Sequence, residues 1–161
     1  MVVILDNIRS LHNVGSIFRT ADAAGIAKIY LCGITPEPLD QFSRPRQQFI
    51  KVSLGAEKTV AWERAKNISR LIDDLKKEGY KIWAVEQSKK SIPYYKSNVP
   101  GRAGKGQLSN VVLVFGNEVK GIAPAILKKC DKILEIPMRG KKESLNVAVA
   151  FGIVVYHLLY G

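Results

Sequence analysis

Short apolar runs alternate along this chain with stretches in which apolar residues recur every three or four positions. Residues 2–5, 28–32, 80–85, 111–115 and 132–136 form the short runs, nearly continuous in apolar character, as strands covered on both faces must be. Helical spacing predicts helices over 14–24, 59–65, 67–78 with Gly79 as a stop, and 144–160, with a short turn over 123–129. The alternation predicts an α/β fold, a parallel sheet flanked by helices. At 161 residues the chain is long enough for a single domain over 1–161.

One helix pattern is unusual. In NVGSIFRTADAAG, residues 13–25, Asn13 is a good N-cap by type. At about 100° per residue Val14, Ile17, Phe18, Ala21 and Ala24 gather into a stripe that wants a core. The opposite side is not an ordinary wet face, because Gly15, Ser16 and Ala23 surround a single long side chain, Arg19. An i,i+3 pairing of Arg19 with Asp22 would contribute only a few tenths of a kcal/mol, roughly 0.2–0.5. The arginine is therefore expected to meet something other than water.

Charge narrows the partner class. A formal net charge of +11 and a pI near 9.7 create a field that favours polyanions, nucleic acid first. Two stretches concentrate it: residues 33–54, irregular by pattern, hold Arg44, Arg46 and Lys51, and KKSIPYYKSNVPGRAGKG at 89–106 has no acidic residue. Arg44, Arg46, Lys89, Lys90, Arg102 and Lys105 are the candidate contacts to nucleic-acid phosphates. Tyr94 and Tyr95 are placed either to stack on unpaired bases or to fold back onto the domain.

Other chemistries are excluded by pattern. GRAGKG at 101–106 matches neither a dinucleotide fingerprint nor a P-loop. His12 and His157 are the only histidines and no cysteine pair has ligand spacing, so no metal site is expected. No serine occupies a G-x-S-x-G elbow. Cys32 and Cys130, far apart in apolar settings, suit reduced thiols and a cytoplasmic location. The start MVVILDNIRS lacks the parts of a signal peptide, and the apolar run at 145–160 contains Asn146 and His157 and is shorter than the roughly 20 residues of a spanning helix, so no membrane partner is expected.

Three motifs carry positive information: NIRSLHNVGSIFRTADAAG at 7–25, VVLVFGNEVKGI at 111–122 and IPMRGKKESLNVAVAFGIVVYHL at 136–158. The last two place glycines and polar side chains at the carboxyl ends of expected strands, where open α/β sheets bind ligands. The ordered set N-x-G-x-x-x-R, F-G-N-E-x-x-G and I-P-M-x-G with S-L-N-V-A-V-A resembles the motifs of the SpoU, or TrmH-like, RNA 2′-O-ribose methyltransferases of the SPOUT superfamily. That resemblance implies a deep trefoil knot near the C-terminus; the sequence departs from larger family members in that no separate N-terminal RNA-binding domain is expected, the first expected strand beginning at Val2. The resemblance further implies a homodimer and S-adenosyl-L-methionine as cofactor, with tRNA or rRNA as substrate. It assigns cofactor contacts to Phe115, Gly116, Glu118, Ile136, Pro137, Met138, Ser144, Leu145 and Asn146. It also makes Arg19 the catalytic residue at the ribose, supported by Asn13. Because a guanidinium stays protonated, Arg19 is expected to clamp the adjacent phosphate, and a phosphate oxygen or Glu118 is the candidate proton acceptor. A non-catalytic knotted RNA-binding module is the alternative.

Overall fold

In a computed structural model, residues 1–97, 108 and 110–161 are described, and the expected phosphate contacts Arg102 and Lys105 lie outside them. Strands β1 (Val2–Asp6), β2 (Lys28–Cys32), β3 (Ala61–Ala65), β4 (Lys81–Val85), β5 (Ile92–Pro93), β6 (Val111–Phe115) and β7 (Lys132–Glu135) form one sheet among the described residues, in the order β3-β2-β1-β6-β4-β7-β5. Every strand pairing in it is parallel. The helices are α1 (Leu11–Ala24), α2 (Gln47–Ser53), α3 (Ile68–Lys77), α4 (Pro124–Leu127) and α5 (Val147–Tyr160).

The period-2 geometry of the central strands explains why both sheet faces are dry. Val3 and Leu5 of β1 enter one core with Leu113 and Phe115 of β6, under α1, α2 and α5; Val2 and Ile4 enter the other with Val112 and Val114, under α3 and α4. Phe18 of α1 meets Phe49 of α2 edge-on at 5.2 Å between ring centroids. The two helices also pack closely at Gly15, where a Cβ would lie 3.0 Å from the Cβ of Val52. Gly15 is thus explained by helix packing: it is buried against α2 one turn before the exposed Arg19.

Several boundaries differ from expectation for identifiable reasons. Residues 59–65 do not form a helix; Ala61–Ala65 is the sheet-edge strand β3, in register with β2 from Lys28↔Ala61 to Cys32↔Ala65. Pairing on one side only lets an edge strand keep Glu63 and Arg64 exposed, and Lys28 reaches Glu63 at 2.7 Å. The stretch 33–54, expected to be irregular, contains α2, whose Phe49 is fully buried. Asn13 does not cap α1: Ser10 does, its side chain accepting from the Asn13 N–H, and the helix starts at Leu11. α5 starts at Val147, with Asn146 as its cap rather than within it.

Because all strands run the same way, the segments that leave β1, β2, β4, β6 and β7 emerge along a single edge of the sheet.

Candidate active site

On that edge the three sequence motifs meet. The Nδ2 of Asn146 donates to the Oδ1 of Asn13 at 3.0 Å, and the Nδ2 of Asn13 donates to the Oε1 of Glu118 at 3.0 Å. Glu118 also accepts the backbone N–H groups of Arg9 (3.0 Å) and Ser10 (3.2 Å). A polar chain thereby joins the cap of α5, the first turn of α1 and the segment after β6. Burial opposes the charge on Glu118, but the N–H donors of Arg9, Ser10 and Asn13 outweigh it and hold the carboxyl below its ordinary range. Asn117 fastens the same segment to motif one, its Nδ2 donating to the carbonyl of Asn7 at 2.7 Å.

The turn after β6 is tight because its glycines leave no room for a side chain. A Cβ on Gly116 would lie 2.5 Å from Ile122 Cγ1 and 2.7 Å from the Gly121 carbonyl carbon. Gly121 takes φ +65°, and a Cβ there would lie 2.3 Å from Glu86 Oε2; that carboxylate in turn accepts the Ile122 N–H at 2.9 Å.

Beside this turn lies a cavity of about 350 Å³, within the span of roughly 300–1,000 Å³ typical of small-molecule and cofactor sites. It is walled by residues that leave the carboxyl ends of β4, β6 and β7 and by the start of α5. Of the expected cofactor contacts, Phe115, Gly116, Glu118, Ile136, Met138, Ser144 and Leu145 line it. Pro137 and Asn146 do not; Asn146 is exposed and serves as helix cap and partner of Asn13. Sequence reasoning missed Glu86, Gln87, Glu135 and Glu143, which also line it. Glu86 and Gln87 directly follow β4, so the rule that ligands bind at carboxyl ends of strands could have found them.

The charge of this cavity opposes that of the chain. Glu86, Glu118, Glu135 and Glu143 line it, and among the described residues no Lys, Arg or His does, although the chain carries a net +11. An acidic wall with an apolar floor of Phe115, Ile136 and Leu145 suits a small organic cation better than a phosphate. Among the described residues no cluster of His, Cys, Asp and Glu could hold a metal ion.

Arg19 lies elsewhere. It is exposed on α1 and is not among the cavity-lining residues. Asp22 accepts from the Thr59 hydroxyl, and no carboxylate pairs with Arg19 among the described residues. Its neighbours on the exposed stripe are His12, Ser16 and Ala23. Alongside runs α5, where a Cβ on Gly152 would lie 3.8 Å from the Thr20 side chain and the Tyr160 hydroxyl donates to the Ala24 carbonyl at 3.1 Å.

The expected phosphate contacts Arg44, Arg46, Lys89 and Lys90 are all exposed. The tyrosines divide: Tyr94 folds back edge-on to His157 of α5 at 5.0 Å, while Tyr95 stays exposed. Cys32 is buried and Cys130 half-buried, both free; burial pushes the Cys32 thiol up to about 12. No helix among the described residues is long and apolar enough to cross a membrane.

Residues 1–156 match the profile of the SpoU rRNA Methylase family. Over 160 residues the chain is 31% identical to a 23S rRNA (guanosine-2′-O-)-methyltransferase RlmB of Haemophilus influenzae, covering 99% of this chain and 59% of that one. It is 31% identical over 158 residues to a tRNA (guanosine(18)-2′-O)-methyltransferase of Aquifex aeolicus, covering 97% and 67%. Among solved structures, the A. aeolicus TrmH/SpoU tRNA modifying enzyme superposes with a TM-score of 0.81 at 30% identity, over 98% of this chain and 73% of that one. An AdoMet-bound rRNA methyltransferase from Sinorhizobium meliloti gives 0.82 at 30% identity, over 98% and 54%. The chain thus spans about three-fifths of the length of curated relatives such as the 59% covered in H. influenzae.

Proposed function

This chain belongs to the SpoU rRNA methylase family, and on that premise we propose that it transfers a methyl group from S-adenosyl-L-methionine to a ribose 2′-hydroxyl of tRNA or rRNA in the cytoplasm. The observation that carries the reading is the hydrogen-bonded chain Asn146–Asn13–Glu118, which unites all three motifs beside an acidic cavity. The glutamates fit a sulfonium and an ammonium, and the Phe115, Ile136 and Leu145 surfaces fit an adenine. When bound, the cofactor supplies an electrophilic methyl group.

The remaining work falls to this chain's own residues. The rigid turn at Gly116 and Gly121 presents backbone groups to the ligand. Ile136, Met138, Ser144 and Leu145 supply the opposite wall, with Asn146 fixing the start of α5. A guanidinium stays protonated, so Arg19 acts as a clamp on the phosphate beside the target ribose and stabilises the developing alkoxide, while an oxygen of that phosphate takes the hydroxyl proton. Glu118, with both oxygens occupied by N–H donors, holds Asn13 and the approach to α1 in place; its depressed pKa makes it a weak base at neutral pH.

We propose a homodimer through α1 and α5. Val149, Tyr156 and Tyr160 are 51%, 43% and 68% exposed along one side of α5, next to the stripe that carries Arg19. A partner copy there would cover this apolar surface and bring each Arg19 toward the other protomer's cavity, which explains why Arg19 stands apart from its own. We also propose the C-terminal trefoil knot of the family. The position of β7 between β4 and β5, which are consecutive in sequence, supports it.

Calorimetry with S-adenosyl-L-methionine, followed by transfer of labelled methyl to total tRNA and rRNA with mapping of 2′-O-methyl positions, tests the reading. Saturable cofactor binding and a mapped ribose methyl are expected. Cofactor binding without transfer to either RNA would leave only the non-catalytic RNA-binding module, and no cofactor binding would overturn the proposal.

A further inference from the structure

The chain that leaves β2 forms a hairpin whose tip holds an aromatic ring in solvent. Leu39 bridges Pro45, and Asp40 organises the turn between them. Its backbone N–H donates to the Arg44 carbonyl at 2.8 Å and its carbonyl accepts from Ser43 at 3.0 Å. Its carboxylate accepts the N–H groups of Phe42 (2.8 Å) and Arg44 (3.0 Å) and the Arg44 Nε (3.0 Å). The base of the loop is anchored as well: Arg64 donates to the carbonyls of Gly33 (2.6 Å) and Thr35 (3.0 Å). On this braced tip Phe42 is 65% exposed, and the Arg44 guanidinium lies 4.8 Å from its ring centroid.

A ring held this way contributes little to the core, so its rigid presentation calls for an external partner. We infer that Phe42, backed by Arg44, is a platform on which an unpaired base of the RNA stacks. Base–aromatic stacking accepts any base because every base has a π-face, and an adjacent arginine adds cation–π attraction. The electrostatics agree: Arg44 lies over the ring and Arg46 closes the hairpin with its Nε donating to the Leu39 carbonyl at 3.1 Å, both exposed, in a chain of net charge +11. The placement agrees too, because the hairpin leaves β2 at the same sheet edge as the cavity. The inference rests on the RNA methyltransferase reading and deepens it, since it selects a substrate with an unpaired base near the methylated ribose.

The test compares wild type, Phe42→Ala and Phe42→Trp for affinity to a short single-stranded RNA of mixed sequence and to its duplex, by fluorescence anisotropy. Phe42→Ala is expected to weaken single-strand binding by about tenfold, within the range of one lost stack, and to leave duplex and cofactor binding unchanged. Phe42→Trp is expected to restore affinity, with emission quenched by the single strand beyond any change in the wild type. Equal affinity of wild type and Phe42→Ala for the single strand, or equal losses on both RNAs, overturns the inference while the methyl-transfer reading stands. A shift of Phe42→Ala in oligomeric state instead of RNA affinity would assign the ring to a second copy and likewise overturn it. Absence of RNA binding by the wild type would overturn both this inference and the RNA methyltransferase reading.

Discussion

Replacing Glu118 by Gln removes a charge while keeping the size of the side chain, and the structure sets what this should cost. The carboxylate accepts three N–H donors, from Arg9, Ser10 and Asn13. A carboxamide offers one acceptor oxygen and turns an NH2 toward a donor, so at least one bond is lost and the others lose their charge assistance. Hydrogen bonds to charged groups contribute about 1.5–3 kcal/mol against about 0.5–1.5 for neutral ones. Because Glu118 is an exposed residue, water takes up part of the loss, and about 1–2 kcal/mol in total is expected. In a chain of this size each kcal/mol moves the melting temperature by roughly 2–4 °C, so Glu118→Gln should melt roughly 2–8 °C lower at neutral pH. The pH dependence has a definite sign. Burial raises the Glu118 pKa, but the N–H donors win and set it below the ordinary 4.5. The unfolded chain therefore takes up this proton first as pH falls. The contribution is complete above pH 4.5 and is lost as pH drops through the lower folded value. Paired thermal melts of wild type and variant should show a constant gap near neutrality that closes on acidification below that point. A gap that stays constant through the acid range, or none at neutral pH, would refute the assigned role.

Arg19→Ala should retain cofactor affinity by calorimetry, because Arg19 does not line the cavity, and should slow single-turnover methyl transfer by at least ~100-fold; unchanged turnover on a verified RNA would remove it from the mechanism. Gly121→Ala forces a Cβ to within 2.3 Å of Glu86 Oε2 at φ +65°, so it should weaken cofactor binding by distorting the turn, and unaltered affinity would show that the turn is not part of the site. Tyr156→Asp places a charge on the exposed stripe of α5 and should give a monomer in sedimentation experiments, with transfer lost and cofactor binding largely kept. A dimer that survives the substitution would place the interface elsewhere.

The sheet's central strands are legible in the chain alone, since β1 and β6 are apolar at every position but Asp6 and buried throughout. So is α3, within a residue, because Asn67 caps it through Arg70 and Gly79 follows it in a left-handed conformation. Most of the cavity wall followed from motifs two and three. The rest depends on contacts between residues remote along the chain, which no local pattern encodes. Residues 59–65 read as a helix by local period, yet pairing with β2 made them a strand. Asn13 is a cap by residue type, but Ser10 takes that place and frees Asn13 for Glu118 and Asn146, 105 and 133 positions away. The acidic character of the cavity was illegible for the same reason: its four glutamates come from three separate strand ends and a later loop, and only the fold concentrates them within a basic chain.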